Sequence, residues 1–226
     1  MRMNMNGIKN NHKNDFLEER LIRNDSWMSE GKIPFSSKIV PVSESLSAEQ
    51  WVLPSCQVLE LLRNARSIAV IQCVCRNHYN RCDNPREVCL VLDDEAGMHV
   101  EKGEGRYVTI DEAKEILHTA NRKGLVHCTI YNPSQHPYAI CSCCPCCCHE
   151  FQFLRLYGRR DLVVHSDYVA VTDMKNCNHC GVCVDRCHFE ARKMKEGEME
   201  YEKQACYGCG LCVTECPVQA IALERR

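Results

Sequence analysis

Eight cysteines near the C-terminus repeat one spacing twice: Cys177, Cys180, Cys183 and Cys187, then Cys206, Cys209, Cys212 and Cys216, with Pro217 after the last. Thiolates in a C-x-x-C-x-x-C-x-x-x-C run are the ligands of [4Fe–4S] clusters, which carry single electrons. The two-residue spacings wrap three cysteines of one loop around one cluster, and the fourth lies too far along to close it. The spacing therefore predicts crossed sets: Cys177, Cys180, Cys183 and Cys216 for one cluster, Cys206, Cys209, Cys212 and Cys187 for the other. Gly181, Gly208 and Gly210 give the loops room for close approach. C-x-x-C pairs also occur in zinc sites, but eight cysteines in this repeat, closed by Cys216-Pro217, favour iron–sulfur.

The chain has 20 cysteines in 226 residues. Cys73, Cys75, Cys82 and Cys89 form a first upstream group. Cys141, Cys143, Cys144, Cys146, Cys147 and Cys148, followed by His149, form a second. Six thiols in eight residues are an oxidation hazard unless a metal holds them. The ten suit one or two further [4Fe–4S] clusters, three or four in total, with ligand sharing unassigned. Each group follows a short strand, 68–72 and 138–140, so each cluster draws ligands from both groups if those strand ends are neighbours. Zinc is the competing metal at this upstream set, because CCCH and C-x-C patterns also suit it. Cys56 and Cys128 stand alone and read as small hydrophobes. Arg76, Arg81 and Arg86 flank the first group, and Arg155, Arg159 and Arg160 follow the second. They read either as offsets to thiolate charge or as solvated arginines. His78 and His149 suit positions beside the ligands better than ligation itself.

The elements that must position these thiols are short. Residues 1–50 read as an extended or partner-bound arm, with LSAEQW (46–51) as a helix start. A helix over 53–66 has Ser55 as its N-cap and Val58, Leu59, Leu61 and Leu62 as an apolar face. A buried strand (67–72) leads into Cys73, and 85–103 reads as a helix with Pro85 early in it. Thr109 and Glu112 form a capping box for a helix that Gly124 ends. A strand (125–131), a connector (133–140) and a helical turn or two (151–158) follow. Beyond Tyr168 come the two repeated motifs, each ahead of a short helix, joined by a hairpin with Glu196-Gly197-Glu198 at its tip. The prediction is an α+β chain in three parts: the arm at 1–50, a helix-rich cysteine domain with short strands at 51–166, and a small two-cluster domain at 167–226.

A formal charge of −2 leaves no basic excess for nucleic acid. Four thiolates on each of two oxidised cubanes carry the charge to about −6, which suits a redox partner with a basic patch. The first fifteen residues lack an apolar h-region and no stretch is long enough to span a membrane. The expectation is a reducing cytoplasm rather than disulfide pairing. No dinucleotide, Walker or nucleophile-elbow motif is present in the sequence.

The last sixty residues closely resemble bacterial-type two-cluster ferredoxins. That resemblance covers about a quarter of the chain and implies a ferredoxin-like fold and low-potential electron transfer. One departure is His188 after Cys187, where that family usually has proline; it suits either a hydrogen bond toward a cluster or a solvent-facing position. With SIAVIQCVCRNHYNRCDNPREVC and CSCCPCCC ahead of these motifs, the whole chain resembles multicluster ferredoxin-like proteins of anaerobic bacteria and archaea. The expected function is an iron–sulfur electron-transfer protein or subunit, passing low-potential electrons along a chain of [4Fe–4S] clusters to or from a partner oxidoreductase. Residues 1–50 are a candidate tether to that partner. The alternatives are a redox enzyme working at an upstream cluster or its reactive cysteines, and a redox-sensing regulator. The regulator is disfavoured by the acidic opening of its candidate recognition helix at 109–123.

Overall fold

The computed structural model describes residues 15–41, 55–133 and 137–226. The predicted helix start at 46–51 lies outside them, as does the side chain of Cys56. The body is a seven-stranded sheet in the order β4-β2-β3-β6-β5-β1-β7. Its strands are β1 (Ser37–Ile39), β2 (Ile68–Gln72), β3 (Glu87–Leu92), β4 (Gly105–Tyr107), β5 (Val126–Tyr131), β6 (Pro137–Cys143) and β7 (Val163–Val164). All pairings are antiparallel except β1 with β7. The upstream region thus combines helices and strands as an α+β unit, but it is organised by its sheet rather than by helices.

Two sequence expectations change here. Residues 85–103 are not one helix: β3 ends at Leu92 and α4 (Asp93–Glu101) begins at the next residue. Five consecutive residues of β3 are buried, because the strand is covered on both faces, and such a strand shows no period-2 alternation by which to recognise it. The switch occurs at Asp93, which takes φ +55°. Part of the expected connector at 133–140 is instead strand β6. Pro137 occupies its first position, where a missing N–H costs no ladder bond.

Alternate residues of the central strands face opposite layers. Ile68, Val70, Leu90, Leu92 and Ile140 pack with Val58 and Leu62 of α2 (Ser55–Asn64) and Ala113 and Leu117 of α5 (Ile110–Arg122). Ala69, Ile71, Cys89, Val91 and Ala139 face the other side with Ala96 of α4. Helix α5 carries the predicted capping box: Glu112 N donates to Thr109 Oγ1 (3.1 Å) and Thr109 N to Glu112 Oε2 (2.8 Å). Helix α2 covers Ser55–Asn64 of the helix expected over 53–66.

The described part of the N-terminal segment, residues 15–41, is not an extended arm. Residues Asp15–Ser29 form helix α1, and β1 is an inner strand between β5 and β7. Leu17 is fully buried beside Ile39, Val126, Phe151 and Phe153, and Phe16 packs on the His78 and His149 rings at 4.6 and 4.8 Å. The segment is tied to its own chain. Helix α3 (Val74–Tyr79) follows β2, and α6 (His149–Tyr157), one residue pair earlier than expected, ends at Gly158 with φ +66°.

The C-terminal unit has two ribbons. Strand β8 (Tyr168–Thr172) pairs antiparallel with β11 (Ile221–Arg225), and β9 (Arg192–Lys195) with β10 (Glu198–Tyr201). Glu196 and Gly197, both with positive φ, turn the predicted hairpin. The unit shares a core with the sheet body, where Tyr207 and Leu211 pack against Cys143, Cys148 and Phe151.

Candidate metal centres

The internal repeat is reproduced in backbone geometry. Gly181 and Gly210 have the same φ +79°, ψ −8°, and each opens a four-residue helix, α7 (Val182–Asp185) and α8 (Leu211–Thr214). These helices place Cys183 and Cys212 inward, and both are buried. Cys177, Cys180, Cys183 and Cys216 line one cavity. Cys187, Cys206, Cys209 and Cys212 line a second. The fold therefore brings each crossed four-cysteine set around its own space. Burial pushes Cys209 well above the usual thiol range and Cys212 up to about 12, so these thiols ionise only when a metal replaces the proton. Backbone N–H groups already point at sulfur: Gly208 N to Cys206 Sγ (3.4 Å) and Ala220 N to Cys216 Sγ (3.2 Å).

A buried cation joins the two cavities. Arg192 is 2% exposed. Its Nη1 donates to Thr172 Oγ1 (2.9 Å) and lies 4.0 Å from Cys183 Sγ; the guanidinium also acts on Cys212 and stands 4.3 Å over the Tyr201 ring. Its Nη2 is buried without a partner. A guanidinium held this way requires nearby negative charge, and two sets of cluster thiolates meet that requirement. The donor set, the cavities and the orphaned N–H together fit [4Fe–4S] groups. Sequence reasoning did not single out Arg192. Its only signal was the hairpin alternation, which turns an arginine inward beside Tyr201.

His188 turns toward the sheet body rather than a cluster. Its Nε2 donates to Gly124 O (2.7 Å), with burial lowering its basicity. Beside it, Arg186 donates to Asn121 O (2.7 Å) and Arg122 O (3.3 Å), carbonyls at the C-terminal end of α5. These two residues fasten the C-terminal unit to the sheet body. Phe151, Phe189, Tyr207 and His165 continue the seam as stacked rings at 5.2, 4.4 and 4.0 Å.

Upstream, β3 lies between β2 and β6, so the two cysteine groups converge at neighbouring strand ends and interleave. Cys82 leaves the first group to join Cys144, Cys146 and Cys147, whose sulfurs all lie within 4.8 Å of one another. Cys141, Cys89, Cys73, Cys75, Cys148 and Cys143 form a string in which each thiol interacts with the next. Cys143 also meets Cys128 (Sγ to Sγ 3.4 Å), both buried, so Cys128 is not isolated. Cys73 is drawn down to about 3, first by the thiols of Cys75 and Cys89 and then by Arg76.

Arg76 is the upstream counterpart of Arg192. At 1% exposure it sits between the two sets, donating to Ser142 O (3.0 Å) and Cys144 Sγ (3.6 Å) and acting on Cys73 and Cys89. Its Nε and Nη2 are unpartnered. The flanking arginines therefore divide. Arg76 offsets thiolate charge; Arg81 stacks on Tyr79 at 4.5 Å; Arg86 bonds Asn77 and Asn80 at the surface; Arg159 pairs with Asp25 and Asp161. His149 is buried beside Cys75 (Nδ1 to Sγ 3.3 Å), and burial lowers it to about 3.

No helix among the described residues is long and apolar enough to cross a membrane. No curated protein matches the chain. Residues 176–220 match the family model described as the 4Fe-4S dicluster domain, so that segment is similar to iron–sulfur dicluster domains.

Proposed function

We propose that this protein is an electron-transfer component that serves a partner oxidoreductase. One observation carries the reading: the two dicluster cavities face different surroundings. The Cys177 set opens toward solvent, with Cys180 exposed and Met194 and Val218 exposed nearby. The Cys187 set shares its wall with the sheet body, where Cys209 and Phe189 pack against Cys143, Cys148 and Phe151. A [4Fe–4S] group supplies one-electron redox chemistry when bound. Cys177, Cys180, Cys183 and Cys216 would hold one, and Cys206, Cys209, Cys212 and Cys187 the other. The chain's own contribution is to hold the four thiolates of each set, exclude water from the inner one and keep Arg192 between them.

The string Cys141–Cys89–Cys73–Cys75–Cys148–Cys143 is the candidate for one further [4Fe–4S] cluster, with six thiols for four positions. Arg76 balances its charge, and Phe16, from α1, covers its His149 side. The exposed side of the first cavity is the candidate docking surface for the redox partner. Of the expected tether, residues 15–41 are occupied within the chain as α1 and β1. An EPR-monitored reductive titration of anaerobically purified protein tests the reading. It should show interacting cluster signals that are reoxidised by an external one-electron acceptor without consumption of any other substrate. Turnover of a substrate by the isolated chain, or the absence of reducible clusters, would sink it.

A further inference from the structure

We infer that Cys82, Cys144, Cys146 and Cys147 form a closed mononuclear zinc site, distinct from every iron–sulfur ligand set. The argument is one of size. The four sulfurs lie within 4.8 Å of one another, with Cys82 Sγ 3.8 Å from Cys144 Sγ and 3.9 Å from Cys147 Sγ. Four thiolates placed tetrahedrally about zinc at about 2.3 Å stand about 3.8 Å apart. A cubane places a separate iron beneath each thiolate, so its own body must fit between the four sulfurs. The two four-cysteine sets of the C-terminal unit are spread more widely, and among the described residues the Cys82 set is the group whose sulfurs gather so tightly.

Local structure supports a built site. Strand β6 ends at Cys143, and the turn 145–147 aims three thiols from four residues at one point. Cys82 arrives from the loop after α3, which Asn80 starts in the left-handed region. Val88, Ala120 and Leu125 enclose Cys144 and Cys147 on the apolar side. Donors orient the ligands from outside: Arg76 to Cys144 Sγ (3.6 Å), Asn84 Nδ2 to Cys82 Sγ (3.4 Å) and Gln152 Nε2 to Cys147 O (3.0 Å). Four protein sulfurs with no open position describe a structural ion, which carries no redox chemistry. Binding displaces the thiol protons. The tetrathiolate, net −2 with its ion, supplies the negative charge that buried Arg76 needs. The site staples the α3 loop to the 144–147 turn, and it stands independently of the electron-transfer reading.

The test is zinc-edge X-ray absorption on the anaerobically purified full chain, with zinc and iron content measured on the same sample. The expected result is one zinc per chain with a single shell of four sulfurs and no metal–metal scattering. In Cys146→Ser the zinc should fall several-fold while iron content and cluster EPR stay unchanged. Cys146→His, which keeps a zinc donor, should retain the ion. Fully iron-loaded protein without stoichiometric zinc overturns the inference. So does a single ferric tetrathiolate in its place, or loss of about four irons in Cys146→Ser. If the variants fail to fold, the native spectrum decides alone.

Discussion

Gly208 lies in the loop that carries Cys206 and Cys209, and the structure predicts a large cost for adding one methyl group there. Its φ is +70°, and a Cβ would overlap the Tyr168 carbonyl oxygen of β8 and sit 3.0 Å from Ser166 Cβ. A left-handed alanine costs about 1–2 kcal/mol. Overpacking against backbone adds about 1–3 kcal/mol, since no side-chain rotation relieves it. Gly208→Ala should therefore lose about 2–5 kcal/mol, which at about 2–4 °C per kcal/mol lowers Tm by about 4–20 °C. Gly197→Ala is the matched comparison: φ is +87°, but nothing lies within 4 Å of the added methyl. It bears only the conformational cost of about 1–2 kcal/mol and should lower Tm by about 2–8 °C. The assay is thermal unfolding of the iron-loaded proteins by circular dichroism, with iron content measured beside it. Equal shifts for the two variants would refute the reasoning that close backbone approach, and not glycine conformation alone, shapes this loop.

Three further outcomes follow from buried charge. Arg192→Met should lower both dicluster potentials by tens of millivolts in a redox titration. The ceiling is about 170 mV, from about 4 kcal/mol between unit charges 4 Å apart at about 59 mV per 1.4 kcal/mol. Unchanged potentials would remove the arginine's electrostatic role. His127 is fully buried against Ser142 Oγ (3.1 Å) and burial alone lowers it to about 3. Its folded basicity is depressed, so the neutral ring's contribution is present above pH about 6.5 and is lost as pH falls toward 3. Denaturant unfolding should lose about 1.4 kcal/mol per pH unit from this group below pH about 6, a slope that His127→Asn abolishes. Arg186→Ala removes the donors to Asn121 O and Arg122 O. It should cost about 1–3 kcal/mol and expose the seam between the C-terminal unit and the sheet to limited proteolysis, while leaving cluster signals intact.

The C-terminal unit is legible in the sequence because its ligands sit in short loops whose spacing mirrors the bound group. Cys177 to Cys183 needs no tertiary information, and the hairpin at Glu196-Gly197 is equally local. The sheet body is not legible in the same way. Strand β3 is covered on both faces, so Glu87–Leu92 runs into Asp93 without a change of pattern. Helix α1 shows a weak apolar stripe, and packing of Leu17 into the core stabilises it rather than its own propensity. The capping box at Thr109 is read correctly because its two hydrogen bonds are three residues apart. The division of the ten upstream cysteines depends on β3 lying between β2 and β6. That order moves Cys82 to Cys144, the β5–β6 pairing sets Cys143 beside Cys128, and no spacing within either group reveals it. Arg76 and Arg192 escape the same way: a fully buried arginine contradicts the average behaviour of the residue until the thiolates around it are placed.

The most direct test of the central claim is a reductive EPR titration of the anaerobically purified protein, alongside Cys216→Ser and Cys187→Ser. The crossed sets predict that Cys216→Ser perturbs the solvent-facing cluster held by Cys177, Cys180 and Cys183, and Cys187→Ser the inner one held by Cys206, Cys209 and Cys212. Each variant should leave the other signal in place. If Cys187→Ser instead perturbs the signal assigned to the Cys177 loop, or the native protein holds fewer than about eight reducible irons, the account is contradicted.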